Sequence, residues 1–209
     1  MMIPPDSPHE LSGFPEVSAV HDRYYKVHLA DTEASYFGNS SLYHFDPPPQ
    51  QQREFGTCYM ATSREGAFLE TLGGIRPLSQ RHVDARVITE MYTPGGLRIA
   101  DFTWGDVSGL DDCPITQRWA KVLYEAGFNG VQYKPNHDLD WPTYWIFALW
   151  SEPGIQHDVV KSDGPQRITD LRTLRRLGLE ILDEEPLAVG GSTPERESED
   201  ECAEEADTD

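Results

Sequence analysis

The feature that most constrains the fold is the stretch from Gly56 to Gly73, where a strand pattern changes directly into a helix pattern. Residues 56–62 alternate and are rich in β-formers, which predicts a buried strand. Ser63 then offers an N-cap oxygen, and the apolar residues of 64–72 fall on one helical face before Gly73. Glu70 lies beside that apolar face with no basic residue one turn away. Two interpretations stay open, a solvated glutamate or a functional one.

The charge distribution divides the chain into three parts. The 209 residues are enough for one domain with its own core. Of the net charge of −19, residues 183–209 carry −11, from twelve acids and one base, and residues 1–182 carry the remaining −8. We therefore expect a loose Pro-rich arm at 1–20, a domain at 21–182 and an acidic, disordered tail at 183–209. Such a tail either keeps a protein soluble, or contacts a basic partner or mimics nucleic acid.

The order of strand and helix patterns predicts the fold class. Strands are predicted at 23–29, 56–62, 83–91, 97–102, 129–133 and 143–150, with a strand-like end at 179–182, and helices at 64–72, 114–126 and 169–176. These strands and helices do not alternate strictly, which favours an α+β fold over a doubly wound one. We expect mixed, mostly antiparallel sheets with a few short helices.

Several function classes lack their sequence signals. No apolar run approaches the ~20 residues that span a bilayer, and no signal peptide is visible. Neither the body nor the tail has the basic excess of a nucleic-acid binder, so we expect no direct nucleic-acid binding and no membrane attachment. The three cysteines give no closed disulfide framework, which indicates a cytoplasmic protein. An oligomer is compatible with these features.

Common catalytic and metal motifs are also missing. His137, Asp138 and Asp140 cluster, but the chain has no H-E-x-x-H, no H-x-H and no Cys pair, so we expect no metal. There is no G-x-S-x-G for a serine hydrolase, and neither a dinucleotide fingerprint nor a P-loop. Glycoside cleavage by paired carboxylates stays open, although Glu70 has no partner evident in the sequence.

Two further segments hold candidate binding residues. In the first predicted strand, Tyr24, Lys26 and His28 share one face. The long connection that follows contains four aromatic residues, Tyr36, Phe37, Tyr43 and Phe45. Aromatic rings on such a loop either stack on a planar ligand or pin the loop to the core.

Taken in order, these features resemble the RES domain, a family named for an arginine, a glutamate and a serine. The matching residues are Tyr25-Lys26-Val27, Tyr36-Phe37, Tyr43-His44-Phe45-Asp46, Gly56, Tyr59, Ala61, Ala67, Glu70, Leu97-Arg98-Ile99-Ala100-Asp101, Thr116-Gln117, Trp119-Ala120 and 127–133. The likeness runs from Tyr24 to Trp150, and the segment from Gly56 to Glu70 is its most specific part.

The resemblance implies an ADP-ribosyltransferase-like fold and NAD+ as the substrate, without a metal. RES proteins are often the toxin of a toxin–antitoxin pair, whose partner is a small helix-turn-helix protein. Glu70 would stabilise the oxocarbenium-like ribose as the bond to nicotinamide breaks, with water, phosphate or a protein as acceptor. Tyr59 would stack on nicotinamide, with Tyr36 as a second candidate. Lys26, which shares its strand face with His28, would hold a phosphate or the ribose.

The sequence departs from the family at two of the three naming positions. Lys26 stands in place of the arginine and lacks its bidentate fork. Pro135 falls at the serine position, where Asn136 or His137 could substitute. Two hypotheses follow. The first is an enzyme that cleaves NAD+, in which Lys26, Tyr59 and Glu70 line one cleft. The second is a catalytically altered RES-fold protein that binds a partner or uses another nucleotide.

Overall fold

The computed structural model describes residues 3–18, 23–73, 75, 78–103, 113–134 and 144–182. Its strands are β1 (Glu16–Ser18), β2 (Tyr24–Leu29), β3 (Tyr36–Phe37), β4 (Gly56–Ala61), β5 (Leu78–Ser79), β6 (Arg86–Tyr92), β7 (Arg98–Asp101), β8 (Gly130–Tyr133), β9 (Ile146–Ser151), β10 (Gly154–Ile155), β11 (Lys161–Ser162), β12 (Gln166–Arg167) and β13 (Ile181–Leu182). Its α-helices are α1 (Arg64–Leu72), α2 (Gln80–Asp84), α3 (Cys113–Glu125) and α4 (Leu171–Arg176), with short 3-10 helices at Pro8–Leu11 and Pro49–Gln51.

One large sheet organises the fold. Its strands run in the order β1-β7-β8-β9-β4-β2-β6-β11, and β12 also pairs with β6. All of its described pairs are antiparallel except β7 with β8. The predicted α+β class, with a mixed, mostly antiparallel sheet and short helices, is confirmed.

The strand-to-helix unit predicted at Gly56–Gly73 is present. The Ser63 side chain accepts a hydrogen bond of 3.0 Å from the Gly66 N–H, which caps α1. Helix α1 then lays Phe68, Leu69 and Leu72 into the core. Strand β9, within the strand predicted at 143–150, lies between β8 and β4 and is buried along almost its whole length.

The two faces of the sheet pack against different layers. The larger core lies on the face that carries the helices, where Val27, Ala61, Ala148 and Trp150 meet side chains of α1, α3 and α4. The smaller core lies on the opposite face and contains Tyr24, Cys58, Met60, Phe147 and Leu149, covered by Ala34, Phe37 and Val160. Because side chains alternate along a strand, neighbours in β4 and β9 belong to different cores.

The predicted loose arm at 1–20 is wrong for residues 8–18. Leu11 is buried, and β1 pairs with β7 at the edge of the large sheet. The Phe14 ring lies 5.5 Å from Phe102 and 5.6 Å from Trp119, measured between centroids. Burial of an aromatic ring among other rings holds this segment on the body, although the segment itself shows no periodicity.

The predicted strand at 83–91 begins later than expected. Residues 80–84 form α2, and β6 follows at Arg86–Tyr92. A capping box stabilises α2: the Ser79 side chain accepts from the His82 N–H, and the His82 ring accepts from the Ser79 N–H.

Among the helices of the described part of the chain, none is long and apolar enough to cross a membrane.

Candidate active site

Glu70 lies on α1 and is held by a tyrosine from the sheet. The hydroxyl group of Tyr133, at the end of β8, donates a hydrogen bond of 3.0 Å to Glu70 Oε1. Tyr133 is buried, whereas Glu70 is half-buried and so remains accessible from solvent. Helix α1 reaches this position because its apolar face packs on the larger core, which fixes the carboxylate over the sheet.

A second tyrosine and a second carboxylate lie beside this pair. The hydroxyl of Tyr59, on β4, donates to Asp46 Oδ1 at 2.9 Å and also contacts the backbone carbonyl of His44. Asp46 is buried, and its Oδ2 accepts from Ser40 Oγ at 2.9 Å and from the Tyr43 N–H at 3.3 Å. These bonds satisfy a carboxylate that would otherwise be costly to bury.

Electrostatics couple the four residues. Burial, and then the nearby charges of Asp46 and Glu70, hold the pKa of Tyr59 well above its usual range, and Tyr133 also contributes. Burial and the charge of Glu70 do the same to the pKa of Tyr133. Both phenols therefore stay protonated near neutral pH and act as hydrogen-bond donors. We call Asp46, Tyr59, Glu70 and Tyr133 the carboxylate–tyrosine cluster.

The loop that supplies Asp46 is held in an unusual backbone conformation. Phe45 is fully buried and has φ of 54°, in the left-handed region that non-glycine residues rarely adopt. Its carbonyl accepts hydrogen bonds from Thr57 Oγ1 at 3.1 Å and from Trp150 Nε1 at 3.0 Å. These two buried donors compensate the strain and fix the residues on either side, His44 and Asp46.

The start of α3 holds the same loop from the other end. Gln117 Nε2 donates to the carbonyl oxygens of Ser41, at 2.9 Å, and Tyr43, at 3.2 Å. The His44 ring nitrogen Nδ1 lies 3.5 Å from Thr116 Oγ1. The exposed ring of Tyr43 lies edge-on to Tyr59, with 6.2 Å between centroids. Tyr43 is therefore the exposed aromatic residue beside the cluster.

Lys26 does not join the cluster. Its Nζ donates to the carbonyl oxygens of Ala34, at 3.0 Å, and Tyr36, at 3.2 Å, and lies 3.3 Å from Cys58 Sγ. Cys58 precedes Tyr59 on β4, and the two side chains belong to opposite faces of the sheet. The expectation that Lys26, Tyr59 and Glu70 line one cleft is therefore wrong.

The other predicted binding residues are dispersed. His28 shares the Lys26 face, where its Nε2 lies 2.8 Å from Thr89 Oγ1, and burial lowers its pKa. Tyr36 is exposed on β3, opposite Ile155 of β10. Asn136 and His137, like Pro135, lie outside the described residues. The structure thus brings Tyr59 and Glu70 together and keeps Lys26, His28 and Tyr36 apart from them.

Sequence reasoning missed Asp46 and Tyr133 as site residues. Asp46 carried a signal, since it ends the aromatic segment 43–46 that matches a family motif. Tyr133 ends the matching segment 127–133, but it lies on a buried strand 63 positions away from Glu70, so nothing in the sequence paired the two residues. Among the described residues, no group of three His, Cys, Asp or Glu side chains could hold a metal ion.

Comparisons with known proteins agree with this architecture. The family model of the RES domain matches residues 20–170, and the chain belongs to that family. A chain of the crystal structure of the MbcT–MbcA toxin–antitoxin complex of M. tuberculosis superposes with a TM-score of 0.60 at 12% sequence identity. The match covers 82% of this protein and 96% of that chain, so the two share a fold. No curated protein matches the sequence.

Proposed function

We propose that this protein cleaves the nicotinamide–ribose bond of NAD+, with Glu70 as the carboxylate that stabilises the reacting ribose. The observation that carries the proposal is the bond from Tyr133 to Glu70, which fixes one carboxylate at a half-buried position between α1 and the sheet. Membership of the RES family supports the same substrate class.

The chemistry requires a fixed negative charge. When the bond between nicotinamide and ribose breaks, positive charge develops on the ribose in an oxocarbenium-like state. A pre-positioned carboxylate lowers the energy of that state, and it acts more strongly where surrounding groups exclude water. Glu70 also has the acceptor capacity to hold ribose hydroxyl groups.

The tyrosines orient and bind rather than accept protons. Because the pKa values of Tyr59 and Tyr133 are raised, neither phenol acts as a base near neutral pH. The Tyr59 hydroxyl is committed to Asp46 and His44, which leaves its ring as the functional surface. The rings of Tyr59 and Tyr43 offer stacking area for nicotinamide.

The acceptor and the partner are parts of the same proposal. Water, phosphate or a protein side chain would receive the ADP-ribosyl group, giving hydrolysis, phosphorolysis or transfer. One structural neighbour is a chain of a toxin–antitoxin complex. We therefore propose that the protein acts as a toxin and that a small helix-turn-helix antitoxin neutralises it.

Release of nicotinamide from NAD+, measured with and without phosphate, tests the reaction. We expect Glu70→Gln to lower release about a hundredfold or more, the size typical when one charge-stabilising group is lost. Glu65→Gln is the matched control, because Glu65 lies on the same helix and faces Arg176 at 3.9 Å. It should keep wild-type activity.

Two results would contradict the proposal. Equal release by wild type and Glu70→Gln would remove Glu70 from the mechanism. Intact NAD+ after incubation of the wild-type protein with water, phosphate and protein acceptors would favour the alternative, a RES-fold protein that binds a partner or another nucleotide.

A further inference from the structure

Helix α4 presents a row of arginines to solvent. Arg172, Arg175 and Arg176 are spaced i, i+3 and i+4, so they share one helical face, and all three are exposed. The opposite face of the helix points inward, where Leu174 and Leu177 belong to the larger core. The fold therefore fixes the direction in which the arginines point.

Two neighbouring elements extend this basic surface. Arg167 is exposed on β12. Gln166, the residue before Arg167, places its Oε1 3.4 Å from Nη1 of Arg64 on α1. We call Arg64, Arg167, Arg172, Arg175 and Arg176 the arginine face. Residues 164–179 contain four arginines and one acid, a charge of +3 (4 − 1) in a chain whose net charge is −19.

Local structure accounts for only part of this positive charge. Arg175 and Arg176 occupy the last turn of α4, where cations stabilise a helix C-terminus. The acid of the segment, Asp170, caps the helix and accepts from the Thr173 N–H at 3.1 Å. Glu65 reaches Arg176 only at 3.9 Å and partly exposed, a weak pair. Arg167 and Arg172 serve neither the helix end nor this pair.

The acidic end of the same chain starts seven residues after Arg176, the last residue of α4. Residue 183 follows β13 directly, and Ile181 of that strand packs in the same core as Leu174 and Leu177. Residues 183–209 contain twelve acids and one base. A segment joined by so short a connection has an effective concentration of about millimolar at a nearby surface.

We propose that residues 183–209 bind the arginine face of the same chain through many weak charge pairs. Charge complementarity and the point where the described chain ends carry this inference, which is independent of the proposed reaction. Such contacts involve exposed charges, so salt weakens them strongly. The bound segment would lie beside α1, the helix that carries Glu70.

Carbodiimide cross-linking of the full-length chain tests the contact. The reagent joins carboxylates to lysine amines but not to guanidinium groups, so Arg172→Lys, Arg175→Lys and Arg176→Lys are combined to keep the charge and supply amines. We expect cross-links from these positions to acids of 183–209, with loss of those cross-links in about 1 M salt, where the Debye length is about 3 Å. The pair Lys121–Glu125, 3.4 Å apart, is the internal control for the reaction.

A second measurement compares the wild-type chain, with its native arginines, with two charge variants. In wild type, added salt should shift the NMR amide signals of residues 183–209, and the combined Arg→Gln change at 172, 175 and 176 should abolish that response. A variant with the same change in charge elsewhere, Arg53→Gln, Arg118→Gln and Lys121→Gln, should retain it. Equal responses in the two variants would overturn the proposal. Cross-links found only between isotopically distinct chains would overturn it as well.

Discussion

A single added methyl group tests how closely the helix of Glu70 packs on the sheet. Gly66 lies in the first part of α1, against Tyr144. In Gly66→Ala, the new Cβ would lie 2.4 Å from Tyr144 Cδ2 and 2.8 Å from its Cγ. Real Cβ atoms do not approach so closely, and the contacted atoms are at the rigid base of the ring. Either α1 or Tyr144 must move.

Two opposing effects set the magnitude. Replacing a helical glycine by alanine gains about 1 kcal/mol from helix propensity. Forcing an extra methyl group into a packed contact costs about 1–3 kcal/mol, and Tyr144 is buried, so it has little space to retreat. The contacts are far inside normal packing distances, so we expect a cost in the upper part of that range, about 2–3 kcal/mol, and a net loss of about 1–2 kcal/mol. For a chain of this size that lowers Tm by about 2–8 °C.

Thermal or urea unfolding of the purified protein measures the change. Gly164→Ala is the matched control, because nothing lies within 4 Å of the Cβ it would add, and it should leave stability unchanged or raise it slightly. In a Tyr144→Ala background the cost of Gly66→Ala should disappear, since the clashing ring is gone. A wild-type or higher Tm for Gly66→Ala alone would refute the packing argument.

Three further predictions concern the site and the Lys26 face. Tyr133→Phe removes the donor to Glu70, a charge-assisted bond of about 1.5–3 kcal/mol, so nicotinamide release should fall about 10- to 100-fold. Loss of the same bond also lowers Tm, so release is measured at a temperature where the variant stays folded, and unchanged release would separate Tyr133 from catalysis. Lys26→Met removes the Nζ donor from the carbonyl oxygens of Ala34 and Tyr36 and should cost about 1–3 kcal/mol of stability. It should not reduce release at temperatures where the variant stays folded, and a selective loss of activity would restore Lys26 to the site. Burial raises the pKa of Asp46, so the folded state keeps this proton to a higher pH than the unfolded state does. The stability that protonated Asp46 contributes at acidic pH is therefore lost as pH rises through the raised pKa. Curves of stability against pH should lack this loss in Asp46→Asn, and identical curves for the variant and wild type would contradict a raised pKa for Asp46.

Local patterns accounted for much of the fold. The cap at Ser63, the apolar stripe of α1 and the continuous apolar run of β9 each follow from residues close together in the sequence. Two of the predictions that failed, the loose arm and the shared cleft with Lys26, depended on distant contacts. Residues 8–18 are held in place by contacts of Phe14 with Phe102 and Trp119. No pattern within the first residues could predict contacts with residues so far along the sequence.

The candidate site divides in the same way. Tyr59 and Glu70 belong to one continuous motif, so the sequence could pair them. Their partners come from elsewhere: Asp46 from a loop whose conformation depends on buried donors of β4 and β9, and Tyr133 from a strand 63 positions after Glu70. Hydrogen bonds between such positions exist only after the chain has folded.

The sequence by itself determined that Tyr24, Lys26 and His28 share one face of a strand, because side chains alternate with period two. Only the tertiary structure decided on which face of the sheet these three side chains lie. In the observed register Tyr25 of β2 lies opposite Ala61 of β4, which places Tyr25 on the Tyr59 face and Lys26 beside Cys58. A shift of one residue in that pairing would exchange the two faces. The interstrand register, set by the packing of both cores, therefore separates Lys26 from Glu70.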